Sequence, residues 1–277
     1  KTPEAFRVCG YESLSKEYNV PLIDLQKDKY RAYEINDLRI NICDYVTKVD
    51  YLINIPVLKG HCQTNVTCAL KNMKGCIPDS EKRKFHTMGL HEPIAYLNKL
   101  IKQSLIIVDG MNGDLNFEEG GNPVQMNRII AGKDPVLIDA YAAQLMGFSI
   151  EEVPYIAMAE GIGVGTADLA NADVIELNKD KGSRRLTPSR KVQQLSRHIV
   201  EDSACSACYG SLIYALERLY EKGLLNKLKE KLYIGQNFKN KQYDGVGIGT
   251  CTSGFDKCVK GCPPKARDIV EYLEGLI

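Results

Sequence analysis

Val246-Gly-Ile-Gly-Thr-Cys-Thr-Ser-Gly-Phe-Asp-Lys-Cys-Val-Lys-Gly-Cys-Pro-Pro264 is the stretch from which the chain is best read. Its first four residues form a short apolar run with the character of a strand, and that run leads directly into Cys251, Cys258 and Cys262. Cys205-Ser-Ala-Cys208 lies upstream, at the start of a predicted helix over 207–222. Leu232-Tyr-Ile-Gly235 predicts another strand, and a last helix is expected from about Pro264 to Ile277. Residues 200–277 therefore read as a small α/β module rich in cysteine.

Iron in a cluster takes thiolate ligands, four for a cubane, and they must converge on one point. Cys205 and Cys208 occupy i and i+3 at a helix start, where backbone amides and the helix dipole favour anionic sulfur. Cys262 precedes two prolines, and Pro264 in a first helical turn would put this cysteine near a second helix start. Gly254 and Gly261 let the backbone approach a bulky inorganic group closely. Cys251 and Cys258 compete for the fourth place; Cys251 is favoured because it follows a strand end. Zinc is the alternative metal, since four cysteines in two pairs also make zinc ribbons. The C-x6-C-x3-C-P spacing departs from paired C-x2-C knuckles and favours a 4Fe–4S cluster.

The preceding region, residues 1–180, reads as a larger α/β domain. Asp50-Tyr-Leu-Ile-Asn-Ile-Pro-Val-Leu58 is almost unbroken in apolar character, as expected of a strand buried on both faces. Further strands are predicted at 21–25, 104–109, 126–131 and 173–177. Helices are predicted at 3–18, 64–74, 91–101, 136–146 and 151–160, with a polar loop through Asp79-Ser-Glu-Lys-Arg83. Strands alternating with helices imply a mainly parallel sheet sandwiched by helices. Gly161-Ile-Gly-Val-Gly165 follows a helix rather than a buried strand, so it reads as a turn and not as a dinucleotide fingerprint. Lys1 is not an initiator and the chain opens as if in mid-domain, so an upstream segment is expected.

Sites in open α/β sheets lie beyond the carboxyl ends of strands. Lys59-Gly-His-Cys-Gln-Thr-Asn65 follows the Leu58 strand, and Lys71-Asn72 comes soon after. Lys59, His61, Lys71 and Asn72 could gather donors for a carboxylate or phosphate. His61 or His86 could move a proton. The plainer alternative for each is a solvated lysine or a hydrogen-bonding histidine. His91 and Asp109 are weaker candidates, and Asp134 reads as a helix cap. Asp139, inside the helix it follows, could point at the sheet mouth. Cys9 and Cys43 read as core or incidental; Cys62, Cys68 and Cys76 match no specific metal spacing.

Composition narrows the classes. Net charge is +1, which provides no long-range attraction for nucleic acid. No apolar run approaches a membrane span, and no signal peptide is recognisable. Ten cysteines in a chain of 277 residues, if they bind metal, must stay reduced, which points to the cytoplasm.

Four separated motifs carry a family resemblance. Asp50-Tyr-Leu-Ile-Asn-Ile-Pro-Val-Leu-Lys-Gly-His61, Ala69-Leu-Lys-Asn-Met-Lys-Gly75, Ile107-Val-Asp-Gly110 and Ala131-Gly-Lys-Asp-Pro-Val-Leu-Ile-Asp-Ala140 resemble, in this order, the family catalogued as domain of unknown function 362. The resemblance implies an α/β protein that carries cysteine motifs for 4Fe–4S clusters, and it adds support to Cys251 as the fourth ligand. It implies no reaction, and Gly60 and Cys62 depart from the more usual threonine–histidine version of the motif. The expectation is an iron–sulfur redox protein, an oxidoreductase acting on a small anionic substrate or on a partner. The alternatives are an electron-transfer or assembly subunit and a non-redox lyase that uses its cluster as a Lewis acid. An electron donor or acceptor protein is the expected partner; neither nucleic acid nor a membrane is, and oligomerisation is left open.

Overall fold

A computed structural model describes residues 2–116, 123–178 and 190–277. Helices α1 (Thr2–Val8) and α2 (Tyr11–Tyr18) replace the single N-terminal helix expected; Gly10, at φ 76°, breaks the run between them. Residues 21–25 form no strand. The next paired element is an antiparallel hairpin, β1 (Tyr30–Ile35) with β2 (Leu38–Cys43), which the sequence reading missed. Its two-residue turn is Asn36-Asp37, with Asn36 at φ 49°. That is the residue chemistry a tight hairpin turn demands.

Strand β3 (Ile53–Asn54) starts a three-stranded sheet, and the hairpin β4 (Lys59–His61) and β5 (Asn65–Thr67) follows it. The expected helix over 64–74 shortens to α3 (Ala69–Asn72), continued by a 3₁₀ turn. The polar stretch expected as a loop is instead helix α4 (Asp79–Thr87), which buries only Glu81 and Phe85. Helix α5 (His91–Leu100) matches its 3.6-residue periodicity. Strands β6 (Leu105–Asp114) and β7 (Pro123–Gly132) then pair antiparallel. The sheet order is β3-β6-β7, with only β3 and β6 parallel. The mainly parallel sheet expected for this half is thus corrected to a mixed sheet. Helices α6 (Pro135–Leu145) and α7 (Pro154–Gly161) complete the layer. Asp134 caps α6, its Oδ1 accepting from the backbone N–H of Val136 at 2.8 Å and of Leu137 at 3.0 Å.

The sheet is not sandwiched among the described residues. Ile106 and Val108 of β6 face the helices and are fully buried, whereas Ile53, Ile55, Val57, Met111 and Ile129 are exposed. The run from Asp50 to Leu58 therefore buries one side of its strand, not two. Residues 173–177 form no strand; Ile175 is 80% and Leu177 89% exposed.

The remaining residues build the unit that positions the cysteines. Helix α8 (Lys191–Leu195) leads to β8 (Ile199–Glu201), α9 (Ser206–Glu221), β9 (Leu232–Ile234), β10 (Val246–Ile248), β11 (Lys257–Val259) and α10 (Ala266–Glu274). Strands β8 to β11 form one sheet in sequence order, every neighbouring pair parallel. The register is level: Glu201, Ile234, Ile248 and Val259 stand side by side at the carboxyl edge. Leu212, Ile213, Leu216, Leu219, Ile269 and Leu273 bury the helices in an apolar cluster separate from that of residues 40–167. Each such leucine or isoleucine contributes roughly 1.5–3 kcal/mol of burial.

In the larger half, Asp139 is wholly buried and caps α3 across the fold. Its carboxylate accepts the N–H of Ala69 at 2.7 Å and of Leu70 at 3.1 Å. Burial nevertheless pushes its pKa up to about 7, opposed by those two N–H groups. A carboxyl whose pKa rises on folding stabilises the fold below its unfolded value and loses that contribution as pH climbs through the folded value. Urea midpoints of the native chain should therefore drift downward between pH 4 and 7 through this residue. Asp139→Asn should remove that part of the slope; an unchanged slope would show that another group controls it.

Candidate functional site

All four favoured cysteines lie just beyond the carboxyl edge of the parallel sheet. Strand β8 runs into Asp202–Cys205, β10 into Gly249–Cys251, and β11 into Lys260–Cys262; Cys208 sits one turn into α9. The parallel register puts these loops on one level, and backbone hydrogen bonds tie them together. Gly249 N–H donates to Val259 at 2.8 Å, Thr250 N–H to Gly261 at 2.8 Å, and Asp202 N–H to Ile234 at 3.0 Å. Cys205 is the N-cap of α9, as expected. The second helix start differs from expectation: α10 begins at Ala266 after an N-cap at Lys265, so Pro264 and Cys262 lie ahead of the helix.

The thiols sense one another. Burial raises the pKa of Cys205, and the charges of Cys251 and Cys262 raise it further, while Arg83 and Lys239 pull it down. Cys208 is pushed up to about 12 by burial and then by Cys205, Cys262 and Cys251. Cys258 stands apart. Its thiol is 3.7 Å from the Gly249 carbonyl oxygen, to which it donates, and 3.6 Å from the Thr252 hydroxyl. Gln236, which follows the end of β9, donates from Nε2 to the Cys205 sulfur at 3.6 Å. Among the described residues, no three His, Cys, Asp or Glu side chains close up as ligands of one metal ion. Beside the loops, Tyr233, Phe238, Tyr243 and Phe255 pack ring to ring, with centroids 5.3–6.3 Å apart.

The polar candidates of the larger half divide into three places. Lys59 and His61 share a face of β4, opposite Thr67 and Asn65 of β5. His61 is 2% exposed, and its Nδ1 accepts from Gln63 N–H at 3.1 Å and Thr64 N–H at 3.2 Å. Those two bonds assign the ring a neutral form protonated at Nε2. Lys71, 5% exposed, donates to the Thr67 hydroxyl at 3.2 Å. Asn72 belongs elsewhere, in an amide network: it donates to Asn54 at 2.7 Å, and Asn54 donates to Gln103 at 2.6 Å. His91 stacks on Tyr155, with 6.0 Å between centroids, and burial lowers its pKa. Asp109 is taken up by the N–H of Met111 at 3.0 Å.

His86 joins the cysteines instead. Its Nε2 lies 3.4 Å from the hydroxyl of Ser206, the residue after Cys205. Ser206 donates to Gln63 Oε1 at 2.9 Å, and Gln63 Nε2 donates to the Ala204 carbonyl at 3.1 Å. Gln236 Nε2 also lies 3.5 Å from the Arg83 carbonyl. Cys62 packs against the apolar cluster of the cysteine unit. The turn from His61 to Thr64 and the helix carrying Arg83 and His86 thus meet the start of α9. Gln63, Ser206 and Gln236 were missed in the sequence. Gln63 and Ser206 are 143 residues apart, and nothing local advertises their pairing.

An α/β protein with four thiols gathered at the edge of a parallel sheet is the class that fold and site define. The chain belongs to the family of domain of unknown function 362 (DUF362), whose model matches residues 1–144. The thylakoid-associated protein sll1697 of Synechocystis sp. is 24% identical over 162 residues, covering 56% of this chain. The chain matches half the length of that relative. No solved structure matches the chain. Among the described residues, no helix is long and apolar enough to cross a membrane.

Gly235 tests the edge. It lies at φ 138°, and a Cβ there would overlap the Asp202 carbonyl. Gly235→Ala should cost about 1–3 kcal/mol in backbone strain alone. Circular dichroism melts should show the loss; a neutral result would mean that the β8 and β9 loops do not need this close approach.

Proposed function

We propose that this chain is a 4Fe–4S redox protein that exchanges electrons with a protein donor or acceptor in a reducing, cytoplasmic compartment. Cys205, Cys208, Cys251 and Cys262 would be the ligands, with Cys258 a nearby free thiol. One observation carries the reading: loops that follow three parallel strands in level register bring Cys205, Cys208, Cys251 and Cys262 to one edge of the sheet, while Cys258 turns to Gly249 and Thr252. When bound, a cubane supplies one-electron chemistry at a potential set by its surroundings. The chain contributes thiolate ligands, a hydrogen bond from Gln236 to sulfur, and cationic neighbours in Arg83 and Lys239.

The donor set fits a cluster better than a single ion. Tetrahedral zinc holds its sulfurs at about 2.3 Å, which demands tight convergence. The spacing C-x6-C-x3-C-P of Cys251, Cys258 and Cys262 departs from the paired C-x2-C knuckles of a zinc ribbon and suits a cubane's ligand loops. Four thiols also favour electron transfer over a lyase, because Lewis-acid chemistry needs an iron without a cysteine ligand. An anionic substrate held by Lys59, His61, Lys71 and Asn72 receives less support. His61 and Lys71 are buried, and Asn72 is part of the amide network. A substrate-directed oxidoreductase would more naturally use the junction at His86, Ser206 and Gln63, next to Cys205.

Anaerobic reconstitution with iron and sulfide should give a cubane's stoichiometry, a broad charge-transfer absorbance and an EPR signal on reduction. Cys251→Ser should lose most of the iron, and Cys258→Ser should keep it. The reverse ranking would exchange the fourth ligand, and zinc uptake without the absorbance would sink the cluster. A second measurement concerns Gln236. Hydrogen bonds to sulfur tune cluster potentials, and removing one disfavours the more negative reduced state. Gln236→Leu should keep its iron and show a more negative midpoint potential; an unchanged midpoint would mean that this amide does not reach the sulfur in the loaded protein.

A further inference from the structure

Charge is unevenly spread around the cysteine edge. The loops beyond the carboxyl edge carry Lys239, Lys260 and Lys265, and α4 adds Arg83, against Glu201 and Asp202 at the end of β8, although the whole chain is only +1. Lys239, Lys241, Lys260 and Lys265 are exposed, as is Arg83 from α4, and Cys262 is itself exposed between Lys260 and Lys265. Arg83 reaches this edge from the other half of the chain: Gln236 Nε2 is within 3.5 Å of its carbonyl and 3.6 Å of the Cys205 sulfur. Lys239 follows in the same turn, its N–H donating to the Gln236 carbonyl at 3.2 Å.

Contact ion pairs do not tie these cations down. Lys257 pairs with Glu230, but Arg83, Lys239, Lys260 and Lys265 enter no ion pair among the described residues. Glu201 and Asp202 are the nearest carboxylates along the chain, and the four cations outnumber them. Glu201 accepts the N–H of Ala204 at 2.7 Å, and Asp202 accepts from the Asn237 amide at 2.8 Å. Glu201, Asp244 and Asp256 are exposed acidic groups.

We propose that the rim formed by Arg83, Lys239, Lys260 and Lys265 around Cys205 and Cys262 is a docking surface for an acidic protein carrying a one-electron cofactor. The inference rests on the redox reading above and gives its partner a chemical character. In the encounter, one electron would leave the partner's reduced cofactor, oxidising it, and would reduce the cluster that Cys205, Cys208, Cys251 and Cys262 would hold; no atom would change hands. Opposite charge speeds and orients such encounters without requiring a large buried area. An exposed Cys262 brings one side of the site to the surface that the lysines surround.

The test uses the reconstituted chain of residues 1–277 and a flavodoxin as the acidic probe, with iron measured in every sample. The native chain should bind reduced flavodoxin with a Kd that rises steeply with ionic strength, as expected of surface charge. Lys239→Glu combined with Lys260→Glu and Lys265→Glu should weaken binding and slow electron transfer by about tenfold or more. The matching triple Lys→Gln variant should fall between, covering the case in which reversal disturbs loading. Lys16→Glu, on the exposed face of α2, should change neither. An iron-loaded triple variant that binds like the native chain, or binding indifferent to salt, would overturn the docking surface alone. A chain that takes up no iron overturns the redox reading on which it rests.

Discussion

The level carboxyl edge of the four-stranded parallel sheet is the constraint on which the site depends. Parallel strands in register end on the same side of the sheet, so their loops emerge side by side rather than at opposite ends. Strands β8, β10 and β11 each turn a loop toward the same edge, and each loop carries a cysteine. Gly235, Gly249 and Gly261 follow three of the strand ends with positive φ. At Gly235, the backbone of the next loop occupies the space a side chain would need. Had the strands paired antiparallel, the same cysteines would have been divided between two edges.

Gathering thiols this way has an electrostatic consequence. Burial and mutual repulsion raise the pKa of Cys205 and Cys208, so the site resists holding several anions at once. A bound cation would reverse that balance, since its charge becomes the largest in the site. The surroundings lean the same way: Arg83 and Lys239 favour anionic sulfur at Cys205, and Gln236 supplies a donor. The junction adds a second constraint. Gln63 bonds both Ala204 and Ser206, so the turn that carries His61 braces the loop that presents Cys205.

The sequence revealed this unit more readily than the larger half, for a physical reason. Short apolar runs that end in glycine, such as Leu232–Gly235 and Val246–Gly249, signal buried strands with sharp exits, and Cys205 at a helix start is a local pattern. Strand direction is not local. Strands β6 and β7 both read as apolar runs, and nothing in their periodicity distinguishes an antiparallel hairpin from a crossover. The strand expected at 104–109 extends further, since β6 continues to Asp114. Helix α4 was hidden because so little of it is buried, whereas α5 buries Ile94, Ala95 and Leu97 and is plain. The hairpin turn at Asn36-Asp37 carries a local signal in its residue types.

The candidate site divides in the same manner. Cys251 and Cys258 take different places in the fold. Cys258 lies within β11, opposite Gly247, where its side chain meets Thr252 and the Gly249 carbonyl. Cys251 lies past the edge, in the 3₁₀ turn that follows β10. His86 and the lysine-rich polar stretch were grouped because they are close in sequence, yet packing divides them. Asn72 is held by amides, His61 by its own turn, and His86 by Ser206. What unites His86 with the cysteines is a contact spanning 120 residues. Tertiary packing, not spacing, therefore determines which polar residues can influence the sulfur edge: those of α4 and the β4–β5 turn, at the N-terminus of α9.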